Sequence, residues 1–394
     1  MHPMLFAQIA AWFLALLWLG KLLEAALGLP NVPNLLEPRY DRKPQGNPLI
    51  TVIVPARDEA AAIAACLESL LGQDYLNLRI LAVDDRSSDA TGQIMDSLAA
   101  RHGDRLTALH IAELPAGWLG KTHAMALAAR HAIEVYTPEY LLFCDADIFF
   151  RSDAIRRSLA EAVAQRADHF VTMPTPLLKS PGEAMLLGFL QVMGLWATRP
   201  WKISDPRSIR DSVGIGAFNM LRTEAYERLG GFDALRLQIL EDVTLGRSVK
   251  LAGLRQRVAF APGMVTLHWA AGTFGVVNVM TKNLFALFRF RTVLLLMGCG
   301  SLAFFCLGPV VALAWQSTRL PALVAVASIV GLYRSIGRFS RIPVWTGLLF
   351  PVSTVLFLYS MLRSMVATLR QGGVTWRGTF YSLTDLRRNI APLW

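Results

Sequence analysis

Three clusters of polar side chains interrupt apolar runs in the first half of the chain. They are "PARDE" (55–59), "VDDRSSD" (83–89) and "CDADI" (144–148). All three contain carboxylates, and in the last of them Asp145 and Asp147 stand one residue apart. Residues i and i+2 of a strand share a face, and two carboxylates held side by side repel unless a cation or a shared proton separates them. The pattern therefore indicates a cation site.

Each cluster taken alone has a simpler explanation. Asp and Asn are common after strands because their side chains hydrogen-bond to the backbone of turns and helix caps. Asp58 and Asp89 fit that explanation as well as they fit a binding site. Three acidic strand ends in one sheet are harder to explain as turns. We therefore expect the clusters to build one shared site.

The elements that would position these clusters alternate between strand and helix patterns. The strand-like runs are residues 49–56, 78–85, 105–111 and 139–148. The helical patterns between them are residues 60–73, 87–103 and 121–134. Such alternation predicts an α/β domain with a mainly parallel sheet and ligands at the carboxyl ends of its strands. Neither GxGxxG nor GxxxxGK[ST] occurs, so the sequence supports neither a dinucleotide-binding fold nor a P-loop.

Long apolar segments flank this domain. The chain of 394 residues is 54% hydrophobic and 17% charged, whereas a soluble domain is about 45–50% apolar and about 25% charged. Residues 4–29 carry only Lys21 and Glu24, and residues 293–314 and 342–362 carry no charge. Segments of this length span roughly 30 Å of hydrocarbon. A shorter uncharged run at residues 320–333 predicts either a further helix or a re-entrant segment.

The first segment lacks a cationic start and a clear cleavage site, so we interpret it as an anchor rather than a signal peptide. The chain carries a net charge of +10, and a group of its basic residues lies beside the last apolar segments. The basic residues there are Arg334, Arg338, Arg341, Arg363, Arg370, Arg377, Arg387 and Arg388. Arginines beside spans favour the cytoplasmic face and anionic head groups; nucleic acid explains them less well.

One topological difficulty follows. If the middle domain and residues 334–341 are both cytoplasmic, a full last span puts the basic tail outside. Either one apolar segment does not cross the membrane, or the basic tail is an exception to the preference of arginine for the cytoplasmic side. The cysteines are Cys66, Cys144, Cys299 and Cys306, and they form no CxxC pair. A reduced catalytic domain that faces the cytoplasm, in a bacterial inner membrane, is therefore the simplest expectation.

The polar clusters also carry a resemblance. In order, "ITVIVPARDE", "VDDRSSDAT", "CDAD" and "ILEDVTLG" resemble the family 2 glycosyltransferases with a GT-A fold, over about residues 49–265. With "LPAGWLGKTHAMALA" (114–128) and the flanking spans, the chain resembles membrane-bound hopanoid-associated glycosyltransferases and enzymes that glycosylate carotenoid acids or ceramide. The resemblance implies a Rossmann-like, mixed, mainly parallel sheet with helices on both faces, between N- and C-terminal transmembrane helices.

The resemblance also implies roles for the site residues. Asp145 and Asp147 match the DxD pair that holds Mg²⁺ or Mn²⁺ against the diphosphate of a nucleotide sugar, where one carboxylate often contacts the donor as well. Asp85 matches the position that recognises the base. The segment that lines the nucleoside is matched by Pro55, Arg57 and Glu59. Arg57 has a structural ion pair as its alternative role.

Two further positions complete the implied site. Lys121, at a helix start, is expected to face phosphate, with a solvated first-turn lysine as the alternative. Asp242 of the "ED" pair matches the catalytic base that takes the acceptor proton, and Glu241 is expected to orient the acceptor or the base. The alternative for both acids is stabilisation by the helix dipole.

An apolar stretch at residues 181–202 predicts either a core helix or, as we prefer, a helix at the headgroup level that brings a lipid beside Asp242. The expected organisation has an N-terminal transmembrane anchor, a linker, a GT-A domain, C-terminal transmembrane or interfacial helices, and a basic tail. These units are residues 1–29, 30–48, 49–280, 281–370 and 371–394.

We therefore expect an inverting hexosyltransferase that moves one sugar from a nucleotide-diphosphate sugar, with UDP as the expected nucleotide, to a membrane lipid. Hopanoid, carotenoid, sphingolipid and polyprenol acceptors all remain open. A processive polysaccharide synthase of the same family is the alternative enzyme. The motif QxxRW, which many processive relatives carry, does not occur. A third alternative is a membrane scaffold without catalysis. Such a protein would be expected to have lost the DxD pair or the catalytic base, and this sequence has both Asp145/Asp147 and Asp242.

Overall fold

The computed structural model describes residues 3–376 and 379–389. Arg377 and residues 390–394 of the basic tail lie outside the described residues. The α-helices are α1 (Pro3–Gly28), α2 (Ile63–Leu71), α3 (Thr91–Arg101), α4 (Gly120–Tyr136), α5 (Ala154–Ala164), α6 (Pro181–Ala197), α7 (Thr223–Arg228), α8 (Glu241–Leu251), α9 (Gly272–Leu287), α10 (Thr292–Val311), α11 (Arg319–Ser340), α12 (Phe350–Gln371) and α13 (Leu383–Asn389). The strands are β1 (Ile50–Ala56), β2 (Leu78–Asp85), β3 (Leu106–Ile111), β4 (Tyr140–Phe143), β5 (Ile148–Phe150), β6 (His169–Met173), β7 (Thr175–Pro176), β8 (Asn219–Arg222), β9 (Gln256–Phe260), β10 (Val265–Leu267), β11 (Gly373–Trp376) and β12 (Thr379–Ser382).

The central sheet has the strand order β3-β2-β1-β4-β8-β6-β9. Strand β1 pairs in parallel with β2 and β4, and β6 pairs in parallel with β9. Strand β8 is antiparallel to both of its neighbours, β4 and β6. The predicted mixed, mainly parallel sheet is confirmed. Because β1, β2 and β4 are adjacent and parallel, their carboxyl ends meet at one edge.

Strand β1 shows why the sheet is covered on both faces. All of its residues are buried, as expected for a strand inside a parallel sheet. Val52 and Val54 belong to a core cluster with Ile63 of α2. Ile53, which points the other way, belongs to a cluster with Ala129 of α4. The period-2 alternation of the strand thus divides one apolar run between two helix layers.

The prediction for residues 139–148 was wrong in one respect. Strand β4 ends at Phe143 and residues 144–147 form a turn, after which β5 joins a second small sheet with β10 and β7. The chain leaves the central sheet because the amide of Asp145 donates to the carbonyl of Gly216 (3.0 Å) instead of continuing the ladder with β8. Asp145 and Asp147 are therefore neighbours across a turn, half-buried and exposed respectively, rather than one face of a buried strand.

Four segments are long and apolar enough to cross a membrane within the described part of the chain. They are Met4–Asn31, Thr292–Ala314, Arg319–Ser340 and Val344–Gln371. The short apolar run at residues 320–333 is part of the regular helix α11, which extends through Arg334 and Arg338. Helices at both ends of the chain with membrane-spanning composition confirm that part of the predicted fold.

Helix α6 lies between the central sheet and the apolar helices. Phe189 and Val192 pack in one cluster with Val258 of β9, Trp18 of α1 and Tyr333 of α11. A proline in the first turn and Ser180, whose hydroxyl accepts from the Glu183 amide, mark the start of the helix. Most of its apolar side chains are buried by protein. Its predicted position at the headgroup level of a bilayer stays a prediction.

Candidate active site

Turns after β1 and β2 hold two of the acidic clusters together. Asp58 accepts hydrogen bonds from the amide (2.7 Å) and hydroxyl (3.0 Å) of Ser88. Asp89 accepts from the amides of Ala60 (3.0 Å) and Thr91 (2.9 Å). These bonds tie the two strand-end loops to each other and to the start of α3. The turn explanation therefore accounts for Asp58 and Asp89.

The residues expected to contact the nucleoside lie beside those turns. Asp85 is buried and accepts from the Arg86 guanidinium (2.8 Å). Within the described residues, Asp85 Oδ2, Arg86 Nη2 and Arg57 Nε are buried and have no hydrogen-bond partner. A buried polar atom left without a partner costs about 1–3 kcal/mol. Three such atoms at one edge of the sheet indicate a binding site for a polar ligand rather than a hydrophobic core, in which buried polar atoms are normally paired.

The remaining predicted residues of this region are less distinctive. Arg57 Nε forms a long ion pair with Asp58 Oδ2 (3.9 Å), so the structural alternative is present, and contact of Arg57 with a nucleoside stays a prediction. Pro55 is buried within β1. Glu59 is half-buried, and its amide donates to the Thr91 hydroxyl (2.8 Å). A Cβ atom at Gly120 would lie 2.0 Å from Asp85 Oδ2, so the start of α4 must be glycine to approach this carboxylate.

Lys121 occupies the centre of the site. Its Nζ lies 2.6 Å from Asp145 Oδ1 and 2.6 Å from Glu241 Oε1. Its side chain is only 16% exposed, so the alternative of a solvated lysine is wrong. Burial lowers the pKa of Lys121, but Asp145 and Glu241 raise it by more, and the net pKa lies above its usual value. The ammonium is therefore charged and bridges two acids from distant parts of the chain.

Asp242 reaches the same site from the first turn of α8. Its Oδ2 accepts from the amide of Gly216 (2.9 Å), and the carbonyl of Gly216 accepts from the amide of Asp145 (3.0 Å). The backbone of a single residue, Gly216, thus hydrogen-bonds to both acidic residues. Burial raises the pKa of Asp242 to about 7, and the charge of neighbouring Glu241 adds to the effect.

These side chains line one cleft. The cleft lies between the end of β4 and the start of α8, and it has a volume of about 230 Å³ that includes space open to solvent. Its lining residues are Lys121, Met125, Phe143, Cys144, Asp145, Gly216, Asn219, Phe232, Glu241 and Asp242. Asp145, Lys121, Glu241 and Asp242 are therefore brought together. Asp147 lies on the exposed side of the turn, and the Asp85 region adjoins the start of α4.

The carboxylates at this turn suit a hard divalent cation whose coordination shell is completed by a bound ligand. Asp145 and Asp147 offer carboxylate oxygens, which Mg²⁺ and Mn²⁺ prefer. No group of three or more His, Cys, Asp and Glu residues suited to a metal occurs among the described residues, so the protein alone does not supply a full shell. A Cβ atom at Gly216 would lie 2.5 Å from Asp145 Oδ2 and 3.3 Å from Lys121 Nζ. The missing side chain keeps the space beside this carboxylate open.

Comparisons with known proteins agree with this geometry. The family model "Glycosyl transferase family 2" matches residues 51–230, which include the three strand-end clusters. Residues 51–230 therefore form a family 2 glycosyltransferase domain. The chain is 25% identical over 352 residues to 4,4'-diaponeurosporenoate glycosyltransferase of Staphylococcus aureus (strain USA300), an alignment that covers 85% of this chain and 88% of the relative. The relative from strain bovine RF122 / ET3-1 is 24% identical over the same shares.

A solved structure shares the fold of the glycosyltransferase. It is the mannosyltransferase PcManGT from Pyrobaculum calidifontis, in complex with GDP-Man and Mn²⁺, with a TM-score of 0.52 and 19% identity. The superposition covers 90% of this chain and 99% of that chain. The expected GT-A fold is thereby confirmed, and so is the resemblance to enzymes of carotenoid-acid glycosylation, through the staphylococcal relative.

One contact of the site was not expected from the sequence. The hairpin of β11 and β12 reaches the loop before α4, where the Tyr381 hydroxyl donates to the carbonyl of Trp118 (3.3 Å). Burial raises the pKa of Tyr381, with smaller effects from Arg86 and Asp85. The C-terminal hairpin therefore borders the loop before α4, close in sequence to Gly120 and Lys121. The two residues are 263 positions apart, and no local pattern signals such a contact.

Replacing Lys121 by methionine is expected to destabilise the glycosyltransferase in EDTA. The change leaves Asp145, Glu241 and Asp242 close together without their ammonium, and breaking a buried ion pair in this way costs roughly 3 kcal/mol. Thermal unfolding in detergent should show a lower midpoint, and Mn²⁺ should raise the midpoint of the variant more than that of the unmodified protein. Lys43→Met, at an exposed position, is the control. Equal responses to Mn²⁺ in both proteins would contradict the assignment.

Proposed function

We propose that this glycosyltransferase is a membrane-bound, inverting enzyme that moves one sugar from a nucleotide-diphosphate sugar to a lipid hydroxyl or carboxyl group with the help of a divalent cation. The observation that carries the proposal is the shared cleft of Asp145 and Asp242. An acid suited to the donor diphosphate and an acid suited to the acceptor proton line one cleft, and the backbone of Gly216 hydrogen-bonds to both residues.

The donor side of the proposal has two supports. The unpartnered atoms of Asp85, Arg86 and Arg57 suit the base and ribose of a nucleotide, which offer both donors and acceptors. Mg²⁺ or Mn²⁺ held by Asp145 and Asp147 would neutralise charge on the leaving diphosphate. The fold neighbour that holds GDP-Man with Mn²⁺ supports a donor and a metal of this class. We propose a UDP-hexose as the first donor to test.

The acceptor side rests on where the cleft leads. Leu119 and Ile239, close in sequence to Lys121 and Glu241, pack in one apolar cluster with Val276 of α9 and Met361 of α12. This buried cluster packs the segments that carry Lys121 and Glu241 against the apolar helices, so the cleft lies close to the part of the protein where an insoluble acceptor would be held. The staphylococcal relative named for a carotenoid acid supports a carboxyl-bearing carotenoid as the leading acceptor.

The proposed chemistry assigns a task to each acid. Asp242, held by the Gly216 amide, takes the proton of a hydroxyl acceptor, or of a carboxyl acceptor in its protonated form, as the acceptor oxygen attacks the anomeric carbon and the bond to the diphosphate breaks. The attack comes from the face opposite the diphosphate, so an α-linked donor gives a β-glycoside. Glu241 and Asp145 keep Lys121 in place, and its ammonium adds positive charge beside the departing diphosphate.

The test is a transfer assay with the full chain in lipid nanodiscs. Labelled UDP- and GDP-hexoses are supplied with Mn²⁺ and, in separate reactions, a carotenoid acid, a hopanoid, a ceramide and a polyprenyl phosphate. Mass spectrometry should find one lipid that carries one hexose, and NMR should find inverted anomeric configuration. A ladder of many sugars would favour the processive synthase, and retained configuration would overturn the inverting mechanism.

The pH dependence of transfer should report Asp242. Its pKa is raised to about 7 by burial and by Glu241, and only the ionised carboxylate can accept a proton. The value of kcat/KM, which reflects the free enzyme, should therefore rise with pH and level off above about 7. In Glu241→Gln the removal of the neighbouring charge should move the inflection to lower pH. A profile that is flat down to pH 5 in the unmodified enzyme would contradict the role.

A further inference from the structure

The contacts of the apolar helices show which helix ends lie next to the catalytic domain and which lie at the opposite end of the helix bundle. The end of α1 is at the catalytic domain, where Lys21 Nζ donates to the carbonyl of Leu195 (3.0 Å). Its beginning is at the loop between α10 and α11, because Gln8 Nε2 donates to the carbonyl of Ser317 (3.4 Å). We call the first side the catalytic face and the second the opposite face. Helix α1 thus runs from the opposite face to the catalytic face.

Helices α10 and α11 connect the same two faces. The Trp18 indole of α1 donates to the carbonyl of Phe305 (3.1 Å), and a Cβ atom at Gly308 would contact Leu14, so α10 is antiparallel to α1. Helix α11 begins beside Ser317 and returns to the catalytic face. There the Arg341 guanidinium donates to the carbonyl of Pro262 (3.3 Å) in the catalytic domain.

Helix α12 does not connect the two faces. It follows Arg341, which is at the catalytic face, and it leads to the C-terminal hairpin, which is there too. The Tyr381 hydroxyl contacts Trp118 (3.3 Å), and the Arg387 guanidinium donates to the carbonyl of Phe290 (2.8 Å). A helix whose two flanking segments both touch the catalytic domain has crossed the bilayer an even number of times, which for a single helix means none.

Between Arg341 and the C-terminal hairpin, the chain enters the part of the helix bundle nearest the catalytic domain and then returns to the catalytic face. Phe350, at the start of α12, packs against Trp18 of α1 and Tyr333 of α11 (ring centroids 5.5 and 6.3 Å apart). Farther along, Ser353 donates to the carbonyl of Met185 (3.3 Å), and the Phe285 amide donates to Ser364 (3.0 Å). Met185 belongs to α6 of the catalytic domain, and Phe285 to α9, the helix that connects this domain with α10.

The surface of α12 has two unlike sides. Its buried side carries small polar residues that face protein, among them Ser353, Thr354, Ser360 and Ser364. Its exposed side carries an apolar stripe at spacings of three and four residues, which places all members on one helix face. We call it the outer stripe; it consists of Val352, Val355, Tyr359, Leu362, Val366 and Leu369. Arg363, which donates to Asn278 (2.7 Å), and Arg370 are exposed on its flank.

We propose that residues 342–371 form a re-entrant segment whose outer stripe lies against the acyl chains of one leaflet, the leaflet at the catalytic face. The glycosyltransferase then crosses the bilayer with α1, α10 and α11. The 3₁₀ helix before α12, Val344–Leu349, is tolerated at this depth because its Thr346 and Gly347 are buried in protein. Arg363 and Arg370 stay at the headgroup level, which avoids placing a charge at the bilayer centre.

This topology removes the difficulty that the sequence raised. With one of the four apolar segments not crossing, Arg341, Arg363 and Arg387 all lie at the same face as the catalytic domain. A surplus of arginine at one face is what the positive-inside rule requires.

Side-specific labelling tests the sidedness. Single cysteines are introduced at Glu134 of the catalytic domain, Gln316 of the α10–α11 loop and Thr384 of α13, all exposed. Sealed membrane vesicles of both orientations are treated with a membrane-impermeant maleimide, and the unmodified chain gives the background of the native cysteines. Thr384→Cys should react in the same vesicles as Glu134→Cys, and Gln316→Cys in the others. Reaction of Thr384→Cys together with Gln316→Cys would overturn the proposal.

Depth measurements test the outer stripe itself. Nitroxide labels at Val355→Cys, Leu362→Cys and Leu369→Cys report depth through relaxation by oxygen and by a water-soluble nickel complex. In a re-entrant segment depth should decrease steadily from residue 355 to residue 369, over about 21 Å of helix. Phe304→Cys, half-way along α10 and exposed, is the deep reference. A maximum of depth at residue 362, as a spanning helix would give, would overturn the proposal.

Discussion

Asp242→Asn is expected to lower kcat for sugar transfer by about 10²–10⁴-fold, the usual contribution of a general base. Asparagine keeps the size of the side chain, and its carbonyl oxygen can still accept from the Gly216 amide (2.9 Å in the unmodified protein). It cannot take a proton from the acceptor. The loss should therefore appear in the chemical step, and it is measured as single-turnover transfer with saturating donor and acceptor.

Two controls separate this effect from damage to the fold. Nucleotide affinity of Asp242→Asn, measured by calorimetry with Mn²⁺, should stay within about threefold of the unmodified value, because the Asp85 region is untouched. Asp104→Asn, at an exposed position outside the cleft, makes the same chemical change and should retain activity. An Asp242→Asn enzyme with more than a third of the original kcat would show that another group is the base.

Asp145→Asn is expected to remove the effect of Mn²⁺ on donor binding and to lower kcat/KM by about 10²–10³-fold, as the loss of one electrostatic contact with transition-state charge does. The carboxylate is the part of the DxD pair that lines the cleft, 2.6 Å from Lys121. Calorimetry of nucleoside diphosphate binding with and without Mn²⁺ measures the first effect. Mn²⁺ should tighten binding to the unmodified protein and leave binding to the variant unchanged.

The metal requirement has its own check. Transfer by the unmodified enzyme should cease in EDTA and return when Mn²⁺ or Mg²⁺ is added in excess. Activity that survives EDTA treatment, together with an Asp145→Asn variant that still responds to Mn²⁺, would show that no cation acts at this turn.

The first half of the sheet was predictable because each strand there is one apolar run with a polar end. Strands β1 and β2 lie within one residue of the expected bounds. The second half was not, because β8 enters between β4 and β6 by pairing over long sequence distances. The pattern at residues 213–226 predicts a small-residue strand followed by a helix. The structure has β8 and α7 there, but β8 begins only at Asn219. The backbone of Gly216 is used by Asp145 and Asp242 instead of by the ladder.

The site was predictable in its residue types and less so in its contacts. The spacing of the acids indicates a charged site, and the structure brings Asp145, Glu241 and Asp242 together. The place of Lys121 differs from the expectation of phosphate contact alone, because Asp145 and Glu241 both face its ammonium. Asp147 shows the limit of strand periodicity, since a turn places it outside the cleft. Side-chain pairing across hundreds of residues has no local signature.

The backbone of Gly216 has a consequence for redesign. Its amide donates to the Asp242 carboxylate and its carbonyl accepts from the Asp145 amide, so neither bond uses a side chain of the cleft walls. Met125 and Phe232 border the cleft without bonding to either acid. To change the sugar or accept a bulkier acceptor, an engineer can therefore substitute Met125 and Phe232 and leave the hydrogen bonds of Gly216 to Asp145 and Asp242 in place.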